Sequence, residues 1–173
     1  MRVLPKKKPT WVEKLNDSKG LPKVEKITDK MSKRWGTGTI VIPAPIEVDE
    51  LMRKVPAGKL TTINDIRAAL AKKHNATIGC PMTTGIFAWV AANAADEQEQ
   101  QGEKNITPYW RTLKKGGVLN EKYPGGNFFL WPIAESYYKS ENYLKAGRYY
   151  RAADSYSLAS IYKMSDPSCL AGR

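Results

Sequence analysis

The sequence has little of the residue types that bind zinc or serve as catalytic nucleophiles and bases: one histidine and two cysteines in 173 residues. Cys80 and Cys169 are far apart, and no cysteines or histidines have the spacing of a metal site. We therefore expect no metal and no cofactor. A Ser-His-Asp or Cys-His triad would have to use His74, which lies in the polar run AKKHNAT. That context predicts an exposed residue at a helix end.

Long apolar runs are also missing. No segment approaches the roughly 18 apolar residues that a membrane span requires, and the basic N-terminus lacks the apolar core of a secretory signal. These absences predict a cytoplasmic protein with no membrane partner. The length favours one domain, with or without a small appendage, and we expect a monomer.

Acidic residues are too few to balance the basic ones. The net charge is +11, and residues 1–60 carry 14 lysines and arginines against 7 acids. A surplus of this size favours a polyanionic partner, since each phosphate that is neutralised releases condensed counterions. The surplus alone predicts a nucleic-acid partner. A basic protein with no nucleic-acid role would have a similar composition.

Two helices are predicted on either side of a short connection. Thr62 is a good N-cap for the first helix, and Asp65 follows three residues later. A turn of about eight residues, NATIGCPMT, precedes a longer second helix, whose acidic end opposes the helix dipole. The pair predicts a helix-turn-helix whose second helix enters a groove of DNA, although any helical hairpin has a similar pattern. The apolar stripe of the first helix consists of Ile63, Ile66, Ala69 and Leu70.

Other elements are predicted before this pair. TWVEKLND favours a short helix capped by Thr10 and Glu13, TIVI a short strand, and PIEVDELMRKV another helix. The predicted fold class is mainly α with a few short strands. We predict a basic arm and short strand region over 1–44, a DNA-binding domain over 45–126 and a C-terminal helical extension over 127–173.

Four motifs between Val55 and Gly126 resemble, in order, those of the O6-alkylguanine-DNA alkyltransferases. VPAGKLTT with DIRAALA is similar to PxGxVxTYGxIAxxLG, and PMTTGIFAWVAAN stands where ARAVGxAxxxN is expected. PYWR stands where PCHR is expected, and GGVLNEKYPGG is similar to GxLxGYxGG. The resemblance covers about 70 of 173 residues. It implies the winged-helix-like, helix-turn-helix DNA-binding domain of that family, with duplex DNA as the partner and a nucleoid-associated location in the cytoplasm.

The sequence departs from the family at its reactive residues. The family's PCHR cysteine accepts an alkyl group irreversibly and is activated by the neighbouring histidine; here these positions are Tyr109 and Trp110. A phenol with a reference pKa near 10 is protonated at neutral pH. The resemblance therefore implies a non-catalytic protein similar to the alkyltransferase-like proteins, which recognise alkylated bases without repairing them. Those proteins usually have Trp at the cysteine position and keep the histidine, so PYWR differs from their pattern too.

Two sets of site residues follow from the resemblance and the charge. Tyr109 and Trp110 either form the walls of a pocket for an extruded base or fill the vacated site as core. Met82 stands where the family's base-replacing arginine stands, as an apolar wedge or as a core methionine. The base-pocket candidates are Tyr109, Trp110, Arg111, Ile63, Met82 and Tyr123. The DNA-backbone candidates are Lys59, Thr61, Thr62, Lys72, Lys73, Thr83, Thr84, Lys114, Lys115 and Lys122.

Two other functions stay open. An alkyltransferase with an unexpected nucleophile would use Cys80, at the head of the second predicted helix, where the helix dipole lowers the pKa of a thiol. A protein-interaction module would use the C-terminal extension, in which a helical hairpin broken at Gly147 resembles half of a tetratricopeptide repeat. One such repeat cannot bury its own apolar face, so it must pack on the rest of the chain or bind a protein partner.

Overall fold

The protein, as a computed structural model, is described over residues 8–57 and 59–125. The predicted hairpin within residues 127–173 and residues 1–7 of the predicted basic arm lie outside this range. Within it the fold is a mixture of helices and short strands, which confirms the coarse expectation. The helices are α1 (Trp11–Asn16), α2 (Asp29–Trp35), α3 (Pro45–Arg53), α4 (Ile63–Lys73) and α5 (Pro81–Gln100). The strands are β1 (Lys23–Lys26), β2 (Thr39–Ile42), β3 (Thr61–Thr62), β4 (Ile78–Gly79) and β5 (Thr112–Leu113).

The chain divides into two compact units. The first comprises residues 1–55 and 61–124, and the second comprises residues 56–60 and 125–173. Most of the described residues belong to the first unit. The predicted domain bounds at residues 44 and 126 stay predictions.

Two small sheets order the first unit. β1 pairs antiparallel with β2, which pairs in parallel with β4. β3 pairs in parallel with β5 and so joins the start of α4 to the segment that follows PYWR. The eight-residue turn predicted before α5 is therefore wrong in detail, because Ile78 and Gly79 extend the sheet of β2.

A close approach between β4 and the backbone of α4 explains the glycine at position 79. A Cβ atom at Gly79 would lie 2.6 Å from the carbonyl oxygen of Arg67 on α4, nearer than side-chain carbons come to such atoms. Arg67 in turn donates from Nε to the carbonyl oxygen of Gly79 over 3.0 Å. This contact fixes how α4 packs against the strand that leads into α5.

The core lies between α3, α4 and α5. Val48 and Met52 of α3 are fully buried, and α3 packs against α5, whose buried residues are mostly alanines with small side chains. Thr62 caps α4 as predicted, since its hydroxyl accepts from the N–H of Asp65. The predicted stripe on α4 needs correction, because Ala69 is exposed and Ala71 is buried instead. The buried alanines of α5 are Ala88, Ala91, Ala92, Ala94 and Ala95.

The acidic end of α5 has a structural partner in α1. The carboxylate of Glu97 accepts hydrogen bonds from the backbone N–H groups of Trp11 at 2.7 Å and Val12 at 3.0 Å. A negative charge is favourable at the N-terminus of a helix. The carboxylate that opposes the dipole of α5 therefore complements the dipole of α1 and docks the two helices together.

His74 is not the exposed residue that its polar surroundings predicted. It is the C-cap of α4, is largely buried, and its Nε2 lies 2.8 Å from Oε1 of Glu47 on α3.

Across residues 8–57 and 59–125, no helix combines the length and the apolar character needed to cross a membrane.

Candidate nucleic-acid interface

The PYWR segment is anchored to α3. Tyr109–Arg111 forms one turn of 3₁₀ helix directly before β5. Arg111 donates from Nη1 to the carbonyl oxygen of Val55, just after α3, over 2.8 Å. Thr107 donates from its hydroxyl to the buried carboxylate of Asp49 over 2.6 Å. Arg111 thus braces the segment against the end of α3.

Three aromatic rings meet at this segment. Tyr109 packs edge-on against Trp110, with centroids 5.3 Å apart, and against Tyr123, with centroids 5.8 Å apart. The Tyr109 hydroxyl donates to the carbonyl oxygen of Pro124 over 3.3 Å. Tyr109 is only 1% exposed, Tyr123 is buried and Trp110 is partly buried. The structure thus places the Tyr109 ring in the core and not on the wall of an open cavity.

The phenol of Tyr109 is held in its protonated form. Burial raises its pKa above the ordinary value of 10, and the negative charges of Asp96 and Glu99 raise it further. A neutral phenol is a poor nucleophile, because attack on an alkyl group requires the oxyanion. Tyr109 is therefore poorly suited to attack an alkyl group.

Cys80 has the predicted position but not the exposure of a nucleophile. It is the N-cap residue of α5 and is buried. Its carbonyl oxygen accepts from the hydroxyl of Thr84 over 2.7 Å, and its N–H donates to the carbonyl oxygen of Val41 over 2.8 Å. These bonds fix the start of α5, which is a structural role.

An open groove runs along the N-terminal half of α5. Its volume is about 780 Å³, and one side is formed by an apolar edge of the helix in which Met82 is 63%, Ile86 48% and Trp89 36% exposed. We call it the α5 groove. It is lined by Met82, Gly85, Ile86, Trp89, Lys114, Asn120 and Lys122.

The turn after β5 supplies the basic side of the α5 groove. The N–H of Lys114 donates to Val118 over 2.7 Å, and the N–H of Gly117 donates to Lys114 over 3.1 Å. Gly116 has a φ of 81°, which non-glycine residues rarely adopt. The tight turn brings Lys114 to the groove and leaves Lys115 exposed.

The structure brings together only part of the predicted base-pocket set. Met82 lines the α5 groove with two of the predicted phosphate-binding lysines, Lys114 and Lys122. Tyr109, Trp110 and Tyr123 lie in the aromatic cluster instead. The remaining two candidates are apart from the α5 groove: Arg111 binds Val55, and Ile63 is half-buried at the start of α4.

Several of the threonines predicted to contact phosphate have hydroxyl groups that are buried or hydrogen-bonded within the protein. The hydroxyl of Thr84 is fully buried, so it cannot reach a phosphate and that expectation is corrected. The hydroxyl oxygen of Thr83 is buried as well. Thr62 donates its one hydroxyl proton to Asp65 over 2.7 Å. The hydroxyl of Thr61 lies 3.5 Å from the same carboxylate, whose charge would repel a phosphate.

The predicted lysines differ in their surroundings. Lys73 forms an ion pair with Glu47 at 2.7 Å. Lys72 is exposed on α4, and Lys59 is exposed in the second unit. Lys114 and Lys122 line the α5 groove, and Lys115 is exposed in the turn after β5.

Sequence reasoning missed Ile86 and Trp89. Together with Met82 they recur at the spacing of one helix face, and this signal was present in the sequence. A core position is the ordinary interpretation of such a stripe, and it hid their exposure. Trp89 is held in place by Trp11, whose ring meets it edge-on at a centroid distance of 4.7 Å.

Comparisons with protein-family models, with curated proteins and with solved structures found no match to this chain. No group of histidine, cysteine or acidic side chains that could hold a metal ion occurs within the part of the chain that the structure describes.

Proposed function

We propose that this protein binds duplex DNA through the α5 groove and does not transfer an alkyl group. The observation that carries the proposal is the groove itself, where a solvent-exposed apolar helix edge lies beside Lys114 and Lys122. Apolar side chains flanked by cations suit a duplex, since phosphates attract the lysines while the helix edge meets the sugars and bases.

The arrangement of α4 and α5 supports the same proposal. Two helices follow each other across a short connection, and the second has the exposed edge. In a helix-turn-helix it is this second helix that enters a groove of DNA. We propose that this is the winged-helix-like domain implied by the alkyltransferase resemblance. Its recognition helix is then α5.

The absence of transfer chemistry is argued from two residues. Tyr109 is a buried phenol with a raised pKa. Cys80 is buried at the head of α5, where a large substrate cannot reach its sulfur. We therefore do not retain the atypical alkyltransferase as a second candidate. The interaction-module alternative depends on residues 127–173, outside the described range.

Two measurements test the proposal. Fluorescence anisotropy of a labelled duplex at low salt should show saturable binding by the full chain, and failure to bind would end the proposal. Intact-protein mass spectrometry after incubation with a duplex containing O6-methylguanine should show no added methyl group. A mass gain that disappears in Cys80→Ser would show instead that the protein is an alkyltransferase with Cys80 as its nucleophile.

A further inference from the structure

The exposed edge of α5 has an unusual composition for a DNA-binding surface. Met82, Ile86 and Trp89 lie at positions i, i+4 and i+7, so they line one face of the helix. The large hydrophobic residues exposed in residues 8–57 and 59–125 number five, and these are three of them. A fourth, Val118, lies in the turn after β5 beside Lys114.

At PYWR the face of Tyr109 is not open to an extruded base. Tyr109 fills this position at 1% exposure, and its ring is packed against Tyr123. Extruding a base costs a few kcal/mol, and enzymes recover that cost through contacts inside a pocket. Here the cost would not be recovered in this way, so a mode of recognition without base extrusion fits the structure better.

Apolar side chains at a helix edge can instead enter the duplex between two bases. Such wedges partly unstack a base step and bend the DNA, and the resulting free energy depends on how easily that step opens. Met82 is unbranched and the most exposed of the three residues, and Ile86 lies one turn beyond it. Lys114 and Lys122 lie across the groove, where they would bind phosphates flanking the opened step.

We propose that Met82 and Ile86 act as an apolar wedge, and that the protein selects duplexes with an easily opened base step, such as a mismatch or a single-base bulge. This inference rests on the proposed DNA binding and specifies its substrate class. An alkylated guanine would be recognised only to the extent that it weakens its own base pair.

The experiment compares four labelled duplexes of equal length by anisotropy: fully paired, G·T-mismatched, bulged and containing O6-methylguanine opposite cytosine. The wild-type protein should bind the mismatched and bulged duplexes about tenfold more tightly than the paired one, as expected for a saving of roughly 1.4 kcal/mol in unstacking. Met82→Ala and Ile86→Ala should each reduce this ratio to below about threefold, with a small change on the paired duplex. Met82→Leu should keep the ratio, since it remains apolar.

The matched control is Val24→Ala, which truncates an exposed apolar residue on β1, away from α5. It should retain the wild-type ratio, and circular dichroism should show that each variant is folded. Equal binding to all four duplexes would overturn the wedge and leave DNA binding intact. Selectivity for O6-methylguanine that exceeds the G·T ratio and survives Met82→Ala would also overturn it. No binding to any duplex would overturn the proposed function as well.

Discussion

The Nε2 atom of His74 lies 2.8 Å from Oε1 of Glu47, and Nζ of Lys73 lies 2.7 Å from the same oxygen. The other carboxylate oxygen accepts from the N–H of Ala44 over 3.1 Å. One buried carboxylate on α3 thus holds the C-terminal end of α4, the helix that precedes α5. Burial raises the pKa of Glu47, but the hydrogen bonds from Lys73, Ala44 and His74 outweigh it, so the pKa lies below the ordinary 4.5.

Glu47→Gln should lower the free energy of unfolding by roughly 1–3 kcal/mol at pH 7, because the hydrogen bonds to the charged form are weakened in a buried site. Urea denaturation measures this. Glu50→Gln is the matched control, since Glu50 lies 4.0 Å from the same lysine but is half exposed, and it should change stability by less than about 0.5 kcal/mol.

The contribution of Glu47 should depend on pH in a definite direction. A carboxyl with a lowered folded-state pKa stabilises the protein above its unfolded-state pKa, and this stabilisation is lost as the pH falls through the folded-state value. The difference between wild type and Glu47→Gln should therefore be largest above about pH 4.5 and shrink below it. A difference that grows on acidification would contradict this assignment.

Glu97→Gln should weaken the docking of α1 on α5. The carboxylate accepts two backbone hydrogen bonds from the first turn of α1, and replacing it with an amide should cost about 1–2 kcal/mol. Unfolding followed by tryptophan fluorescence measures the loss, since Trp11 meets Trp89 at this contact. Glu99→Gln on the exposed side of the same helix should cost less than about 0.5 kcal/mol. Equal losses would show that general charge, rather than this cap, is responsible.

Truncating Tyr109 should show that it is part of the core. Tyr109→Ala should destabilise the protein by about 3–5 kcal/mol through the cavity it leaves. Tyr109→Phe keeps the ring and removes the hydroxyl that donates to Pro124, and it should cost about 1 kcal/mol or less. Chemical denaturation compares the two variants. A stable Tyr109→Ala protein would mean that this ring is not packed as described.

Tyr123 should make the protein unstable in alkali. Burial raises its pKa to about 12, against a smaller opposing effect of its hydrogen bond with Asn120. A tyrosine with a raised folded-state pKa contributes full stability below its unfolded-state pKa of 10, and that contribution is lost as the pH rises towards 12. Tyr123→Phe should resist unfolding between pH 10 and 12 better than wild type, measured by circular dichroism. An unchanged alkaline transition would show that Tyr123 does not titrate with unfolding.

Local signals predicted much of the fold. The caps of α1 and α4 came from Thr10 and Thr62 with an acid three residues later, because capping depends on near neighbours in sequence. The strand at TIVI and the helix that starts at Pro45 were equally local. The strand at Ile78 was missed because its pairing with β2 joins residues 38 positions apart.

The candidate site was harder to predict for the same reason. The sequence shows that the end of α5 is acidic, but the partners of Glu97 on α1 lie 85 and 86 residues away in sequence. On α5 the sequence carries both a row of alanines and a row of large apolar residues. Periodicity alone assigns the large ones to the core, whereas the packing of α3 against α5 uses the alanines and leaves Met82 and Ile86 in solvent.

The salt dependence of DNA binding tests the proposed interface most directly. Each phosphate contact that a lysine makes contributes about 0.9 to the slope of log affinity against log salt concentration. The double variant Lys114→Gln/Lys122→Gln should therefore reduce the magnitude of the slope by about 2. Lys26→Gln/Lys104→Gln, which removes the same charge from exposed positions outside the α5 groove, should leave it nearly unchanged. Equal slopes for the two double variants would contradict binding through this groove.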